Sequence, residues 1–502
     1  MAPGCTINNM PLKTQRRNAG SSPPPVSLGE ARTAQQIWGR RSVRERLALL
    51  RRARHRIAAN AEEIAQTVPC NQAGALHRSL ADTLVSEVLP LVEACRFLER
   101  EAGWILAPQR LSSHNRPFWL RRVSAETRRE PLGVVLILAP ANYPLFLPGV
   151  QALQALAAGN AVLWKPAVGG LAAAQALRDI LLGCGLDPAL LQLLDESVQA
   201  GSQAIAAGVD KIFLTGSAAT GTKVLHQLAD QLTPTVMELS GCDAVFVLPG
   251  ADLDRTVAAL TFGLRLNGSA TCMAPRRLFL VGDHRNLLPA LLEQCKSLAP
   301  IGLPAHTHVE LADLVDDARR LGGVVLKDES VAGLRYVLIS HASPEMRIAK
   351  SDLFAPVLSI FDVPDAEAAV AAHAPCPYAL TAANFGPEPQ ARALAERLPV
   401  GTVLINDLIV ATADPRISFG GRRSSGFGTT RGREGLLEMT TLKTIVAQHS
   451  RDVRAYRPTT PDHQPFFAAY LEAVHGGNWL TRWNGLRRFL RSAARLDQDQ
   501  EK

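Results

Sequence analysis

Cys272 stands among small, neutral residues in LNGSATCMAP (266–275), and Glu238 stands in VMELSG (236–241) at the end of an apolar run. A thiol attacks as its thiolate and ordinarily titrates near about 8.5, so a nucleophilic cysteine without a neighbouring histidine needs activation from a distant residue. A glutamate just after a strand can be that general base if it reaches the thiol or a water in the same cleft. Taken singly, a cysteine is more often a small buried hydrophobe. Cys242, close to Glu238 in the chain, competes for the role. Two other stretches suit a nucleotide. FLTGSAATG (213–221) sets Gly216 and Gly221 around a strand-to-helix turn whose amides can approach a pyrophosphate, although glycines also serve turn geometry. WKP (164–166) ends a strand with Lys165, which either meets ribose hydroxyls or is solvated.

The elements that must position these residues alternate. Residues 29–69 and 76–102 carry helical periodicity, with Leu47, Leu49, Leu50 and Ile57 among arginines. GVVLILA (133–139) reads as a strand, Val150 to Ala158 as a helix, NAVLWKP as a second strand and loop, LLQLL as a short strand and DKIFLTG (210–216) as another. This alternation predicts a parallel sheet with helices on both faces, and ligands then bind beyond the carboxyl ends of its strands. From Ala244 a second α/β unit restarts with AVFVLPG and runs through RRLFLV, GGVVL and VLSIFDV to GTVLIND.

With 502 residues, two or three domains are expected. The balance of 54 Lys+Arg against 46 Asp+Glu gives a net charge of +8, but the arginines are spread along the chain, so no nucleic-acid partner is expected. The eight cysteines are widely separated, without a CxxC pair or zinc spacing; no metal is expected, and reduced thiols in a cytoplasmic enzyme fit best. Residues 1–27, with SSPPP at 21–25, read as a disordered arm instead of a secretory signal. Pro131 to Trp164 contains no charged residue, but Pro140, Pro144, Pro148, Gly149 and Gly159 interrupt it, which favours buried strands and a helix over a membrane span.

In order, the chain holds APANYPL, GNAVLWKP, FLTGS, MELSG, NGSATCMAP, DLFAPVL and SFGGRRSSGFGTTRGREG. This series, across roughly residues 30–446, resembles the NAD(P)-dependent aldehyde dehydrogenase superfamily. The resemblance implies an α/β fold with a Rossmann-type cofactor domain, an α/β catalytic domain and a small β oligomerisation element. Its expected bounds are 28–240 for the NAD(P)-binding domain, interrupted by oligomerisation strands near 113–130, then 241–425 for the catalytic domain and 426–450 for the C-terminal oligomerisation strand. It also implies roles: Cys272 as the thiol that attacks an aldehyde, Asn142 with the Cys272 amide as oxyanion donors, and Glu238 as the base that activates the hydrolytic water. NAD or NADP is implied on Lys165, Thr215, Gly216, Ser217, Gly221, Asp352 and Phe354. A homodimer or homotetramer is implied too.

The chain departs from the family pattern at four places. Val168 stands where many members have a glutamate gripping the ribose diol, so NAD and NADP both remain as cofactors. Asp352 replaces a longer glutamate, Ala141 a tryptophan and Ala355 a glycine. The expected reaction is oxidation of an aldehyde to the carboxylic acid, an apolar aldehyde being favoured because few charges flank the motifs. A coenzyme A-acylating enzyme, or a catalytically weak binding scaffold on the same fold, is the alternative. Beyond the family core, 451–502 forms an extension in which Trp479, Trp483, Leu486 and Leu490 recur at helical spacing opposite Arg487, Arg488, Arg491 and Arg495. The stripe is expected to pack on the chain's own body or a second subunit; the sharper expectation is that 479–496 rests on an anionic membrane surface.

Overall fold

The charge-free run from Pro131 to Trp164 folds as strand, helix and strand. The helix Phe146–Ala158 is buried along its whole length, which explains why no charge interrupts it. It starts four residues earlier than the expected Val150, because Pro148 falls in the first turn, where its missing N–H costs nothing. Its first amides, Leu145 N and Phe146 N, donate to the buried carboxylate of Glu87 at 3.1 and 2.6 Å. Gly159 closes the helix at φ 100°, and a Cβ there would meet Pro131 at 2.9 Å.

The computed structural model describes residues 27–70, 78–451, 453–456 and 458–498. The expected arm therefore lies outside the described residues except for Ser27, which caps the helix Leu28–Arg40 by accepting from Glu30 N. The chain divides into two units. One contains the residues up to Pro108 and Arg128–Lys443; the other contains Gln109–Thr127 and Thr444 onward.

The first unit holds two sheets. The strands Val134–Leu138, Ala161–Lys165, Leu191–Leu193, Lys211–Gly216 and Thr235–Leu239 are parallel in the spatial order 3-2-1-4-5, the doubly wound arrangement. Gly426–Phe427 adds an antiparallel edge against Thr235–Leu239, so this part of the segment expected to form an oligomerisation strand belongs to the cofactor sheet. The second sheet has seven strands: Val324–Ser330, Gly333–Ser340, Val357–Val363, Pro275–Val281, Asp243–Val247, Thr381–Phe385 and Thr402–Ile405, all parallel but the first. Stacked Phe246, Phe279 and Phe361, with centroids 4.8 and 4.6 Å apart, fill its core. Gly333–Ser340 and Thr381–Phe385 have no counterpart in the sequence reading.

The second unit holds Gln109–Arg110, the first part of the strand Val123–Pro131 and the last part of the strand Thr440–Gln448, which form a three-stranded sheet in that order, together with the helices His463–His475 and Trp479–Gln498. The two helices pack through Phe489, which meets Phe466 at 4.8 Å and Tyr470 at 5.6 Å. Gly485, expected only to weaken the helix, allows this approach: a Cβ there would lie 2.4 Å from Ala473 N. The face turned to its partner helix is thus Gly485 and Phe489. The stripe of Trp479, Trp483, Leu486 and Leu490 does not pack on the partner helix; its residues are exposed in this chain. Among the described residues, no helix is long and apolar enough to cross a membrane.

Candidate active site

Glu238 lies at the end of the strand Thr235–Leu239, buried and flanked by Thr215 on one side and Gly426 on the other. Gly426 has φ 98°, and a Cβ there would stand 1.9 Å from Met237 O; only glycine allows this edge strand to pair. The chain then turns through Gly428, and Thr430 Oγ1 donates to Glu238 Oε2 at 3.0 Å. Burial raises the carboxyl above its ordinary range, while the charge of Arg431 and the Thr430 hydroxyl pull it back down.

Cys272 follows a tight loop in which Asn267, Gly268 and Ser269 all have φ between 52° and 64°. Consecutive left-handed residues are costly and persist only where the surroundings enforce them. Arg276, fully buried, enforces them here: it donates to Ser269 Oγ at 2.7 Å and to Ser269 O at 2.6 Å. Tyr143 O–H pairs with Thr271 Oγ1 at 2.8 Å, and Asn142 Nδ2 donates to Ala270 O at 3.1 Å, so the loop after the first strand lies against the cysteine loop. From the other side, Gly241 lies so close that a Cβ would meet Cys272 O at 2.9 Å. Burial is the first cause that raises the Cys272 thiol well above its ordinary value; Glu238, Asp243 and Asp352 add to it, and Arg431 opposes them. Cys242, the competing cysteine, is buried and directs its thiol toward Ala349 O at 3.6 Å, while its carbonyl accepts from Arg277.

The nucleotide side divides. Lys165 is half-buried at its strand end; burial lowers it, and Glu196 and Asp195 counter this. Ser217 caps the helix Ala218–Leu228 by accepting from Thr220 N at 3.2 Å, and Gly216 precedes it with space around its Cα. Thr215 is buried and accepts from Gln151 Nε2 at 3.3 Å, so its hydroxyl is engaged within the fold. Gly221 serves packing: a Cβ would press on Leu239 Cδ1 at 3.0 Å. Asp352 Oδ1 is buried without a hydrogen-bond partner and fits a hydroxyl donor such as a nicotinamide ribose offers. Phe354, half-buried, follows it. Val168 is exposed, and so is Ala141. Among the described residues, no group of three or more His, Cys, Asp or Glu is placed to hold a metal.

The model of the aldehyde dehydrogenase family matches residues 26–445. The chain belongs to that family. This aldehyde dehydrogenase is 27% identical over 464 residues to 4,4'-diapolycopene aldehyde oxidase of Methylomonas sp, covering 89% of this chain and 85% of that one. It is 29% identical to the succinate-semialdehyde dehydrogenase [NADP(+)] of Deinococcus radiodurans, covering 84% and 90%. Among solved structures, the NADP-dependent glyceraldehyde-3-phosphate dehydrogenase of Bacillus halodurans complexed with NADP is 26% identical at a TM-score of 0.76, covering 84% and 90%. An aldehyde dehydrogenase of Mycobacterium tuberculosis complexed with NAD+ has the same fold, with a TM-score of 0.76 at 21% identity over 85% of this chain and 90% of that one.

Two side chains of this aldehyde dehydrogenase's site have no counterpart in the sequence reading: Thr430 and Arg431, within SFGGRRSSGFGTTRGREG. The glycines at 426 and 428 were the available signal, since positive-φ positions mark where an edge strand turns back. Arg431 also lines a narrow cleft whose walls include Pro90, Ala94, Phe97, Phe146, Val150 and Pro415.

Proposed function

We propose that this aldehyde dehydrogenase oxidises an apolar aldehyde to its carboxylic acid with NAD or NADP, using Cys272 as nucleophile, Asn142 as oxyanion donor and Glu238 as general base. The Cys272 thiolate adds to the carbonyl carbon, forming a thiohemiacetal whose oxyanion accepts from Asn142 Nδ2 and the Cys272 amide. Such donors each contribute on the order of 3 kcal/mol to the transition state. Bound NAD(P) supplies the acceptor for the hydride that leaves this carbon. Lys165, the helix start at Ser217, Asp352 and Phe354 are the residues that would hold it. Glu238 then takes a proton from water, the hydroxide adds to the thioester, and the acid leaves as the thiol is restored.

The observation that carries this reading is that Asn142 and Glu238, at the carboxyl ends of two strands, and the loop of Cys272 come together from three separate chain segments. A buried Glu238 favours water over coenzyme A as acyl acceptor, because the base is in place for hydrolysis. The likeness to an enzyme named for a diapolycopene aldehyde favours a long apolar substrate. Rapid mixing of the protein and its Cys272→Ala and Glu238→Gln variants with a long-chain aldehyde is the test.

Three coarser properties follow the same reading. The edge strand Thr440–Gln448 exposes Leu442, Ile445 and Val446, as a strand buried in a homodimer or homotetramer does before assembly. The free thiols among the described residues suit a reducing compartment such as the cytoplasm. The exposed Trp479, Trp483 and Leu490 beside Arg487 and Arg491, on a helix with no acidic residue from 479 to 496, suit an anionic lipid surface that carries the apolar aldehyde.

A further inference from the structure

We propose that Arg431 is a positioning residue for the reaction: its buried guanidinium is the fixed positive charge against which Glu238 works as a carboxylate and Cys272 as a thiolate. This rests on the general-base reading of Glu238 and goes beyond it by assigning what keeps that base ionised.

Four observations place Arg431 there. It follows directly on Thr430, whose hydroxyl donates to Glu238 at 3.0 Å. Its backbone is held at φ 59°, a conformation that residues other than glycine rarely adopt, and which positions of function tend to retain. The side chain is buried and caged: the guanidinium lies 4.5 Å from the Phe419 ring centre and 5.8 Å from that of Phe146. One nitrogen donates to Thr412 O at 2.7 Å, but Nε is buried without a partner. A guanidinium sealed this way is expensive unless negative charge faces it.

The charges around it complete the argument. Cys272 faces Glu238, Asp243 and Asp352, all of which oppose thiolate formation; Arg276 faces Asp352 first and also Asp243 and Cys272, and Arg277 faces Asp243. Arg276 shares the thiol, but Arg431 acts on Glu238 as well as on Cys272.

The pH dependence of kcat/KM for Arg431→Met and Arg431→Lys, with thermal unfolding of each, tests this. An opposite charge at close range shifts a carboxylic acid by about one to three pH units. The acid limb of Arg431→Met is therefore expected to move upward by at least about one unit, with activity recovering at alkaline pH, and Arg431→Lys is expected to move less. The rate of Cys272 alkylation against pH should shift in the same direction. A folded Arg431→Met with unmoved limb and unmoved alkylation profile overturns the proposal. If Arg431→Met does not fold, Arg431→Lys and the alkylation profile decide, an unmoved profile again overturning it. Glu238→Gln separates the two ideas: if the acid limb survives in that variant, the general-base reading fails; if the limb vanishes there yet stays fixed in Arg431→Met, only the role of Arg431 fails.

Discussion

Thr430 Oγ1 donates to Glu238 Oε2 at 3.0 Å across 192 residues of sequence. The bond exists because the edge strand Gly426–Phe427 pairs with the end of Thr235–Leu239 and returns the chain over the carboxylate. A buried carboxylate with a single hydroxyl partner is raised by desolvation, and that hydroxyl is one of the two groups that restrain it.

Thr430→Val removes the donor while keeping the shape. A hydrogen bond to a charged group contributes about 1.5–3 kcal/mol, so kcat near neutral pH should fall roughly ten- to a hundredfold. Because the lost group favours the ionised form, the acid limb of the pH profile must move up, not down. A profile that moves to lower pH removes Thr430 from the support of Glu238.

Gly241→Ala tests the packing that fixes the nucleophile. A Cβ there would meet Asp243 Oδ1 at 2.5 Å and Cys272 O at 2.9 Å, so the cysteine loop must move. A displacement of about 1 Å costs on the order of a hundredfold in rate. Stability should fall by about 1–3 kcal/mol, as for other overpacked sites. Wild-type kcat and melting temperature in this variant would show that the loop is not held from this side.

The parallel sheets were legible in sequence because GVVLILA and DKIFLTG are short β-rich runs bounded by glycine and proline. Glu238 and Cys272 were singled out because each adjoins an apolar run, whereas Asn142 came only from the resemblance of the ordered motifs. Thr430 and Arg431 were not, since their link to Glu238 depends on a two-residue edge strand with no hydrophobic signal. The packing of Gly221 on Leu239 was not legible, because the helix-to-strand distance is not written in the sequence. Gly485 looked like a helix weakness and is a helix crossing, because periodicity on one helix says nothing of its partner.

Discrimination between the cofactors should be modest. Val168 is exposed and offers no carboxylate, while Asp195 and Glu196 are the acids acting on Lys165. Glu196 is already engaged, accepting from Leu171 N at 2.7 Å. Specificity constants for NAD and NADP are expected within about tenfold, or 1.4 kcal/mol. A larger preference for NAD that collapses in Glu196→Gln would assign the ribose diol to Glu196 instead.

The C-terminal helix should bind anionic vesicles. Each arginine near such a surface contributes about 1 kcal/mol, screened as salt rises. Co-sedimentation with phosphatidylserine vesicles is expected at low salt, weakened by salt and lost in Trp479→Ser/Trp483→Ser. Failure of the intact protein to sediment, or a stripe buried in a dimer that the double variant dissociates, rejects a lipid partner.

The central claim, a Cys272 acyl intermediate released by Glu238, is tested most directly by stopped-flow reduction of the nicotinamide on mixing enzyme, cofactor and long-chain aldehyde. Cys272→Ala should show no reduction while unfolding at the wild-type temperature. Glu238→Gln should show a first turnover of one cofactor per site and then a slow steady state, because its amide cannot accept water's proton. An unchanged steady-state rate in Glu238→Gln, or a burst in Cys272→Ala, would contradict the account.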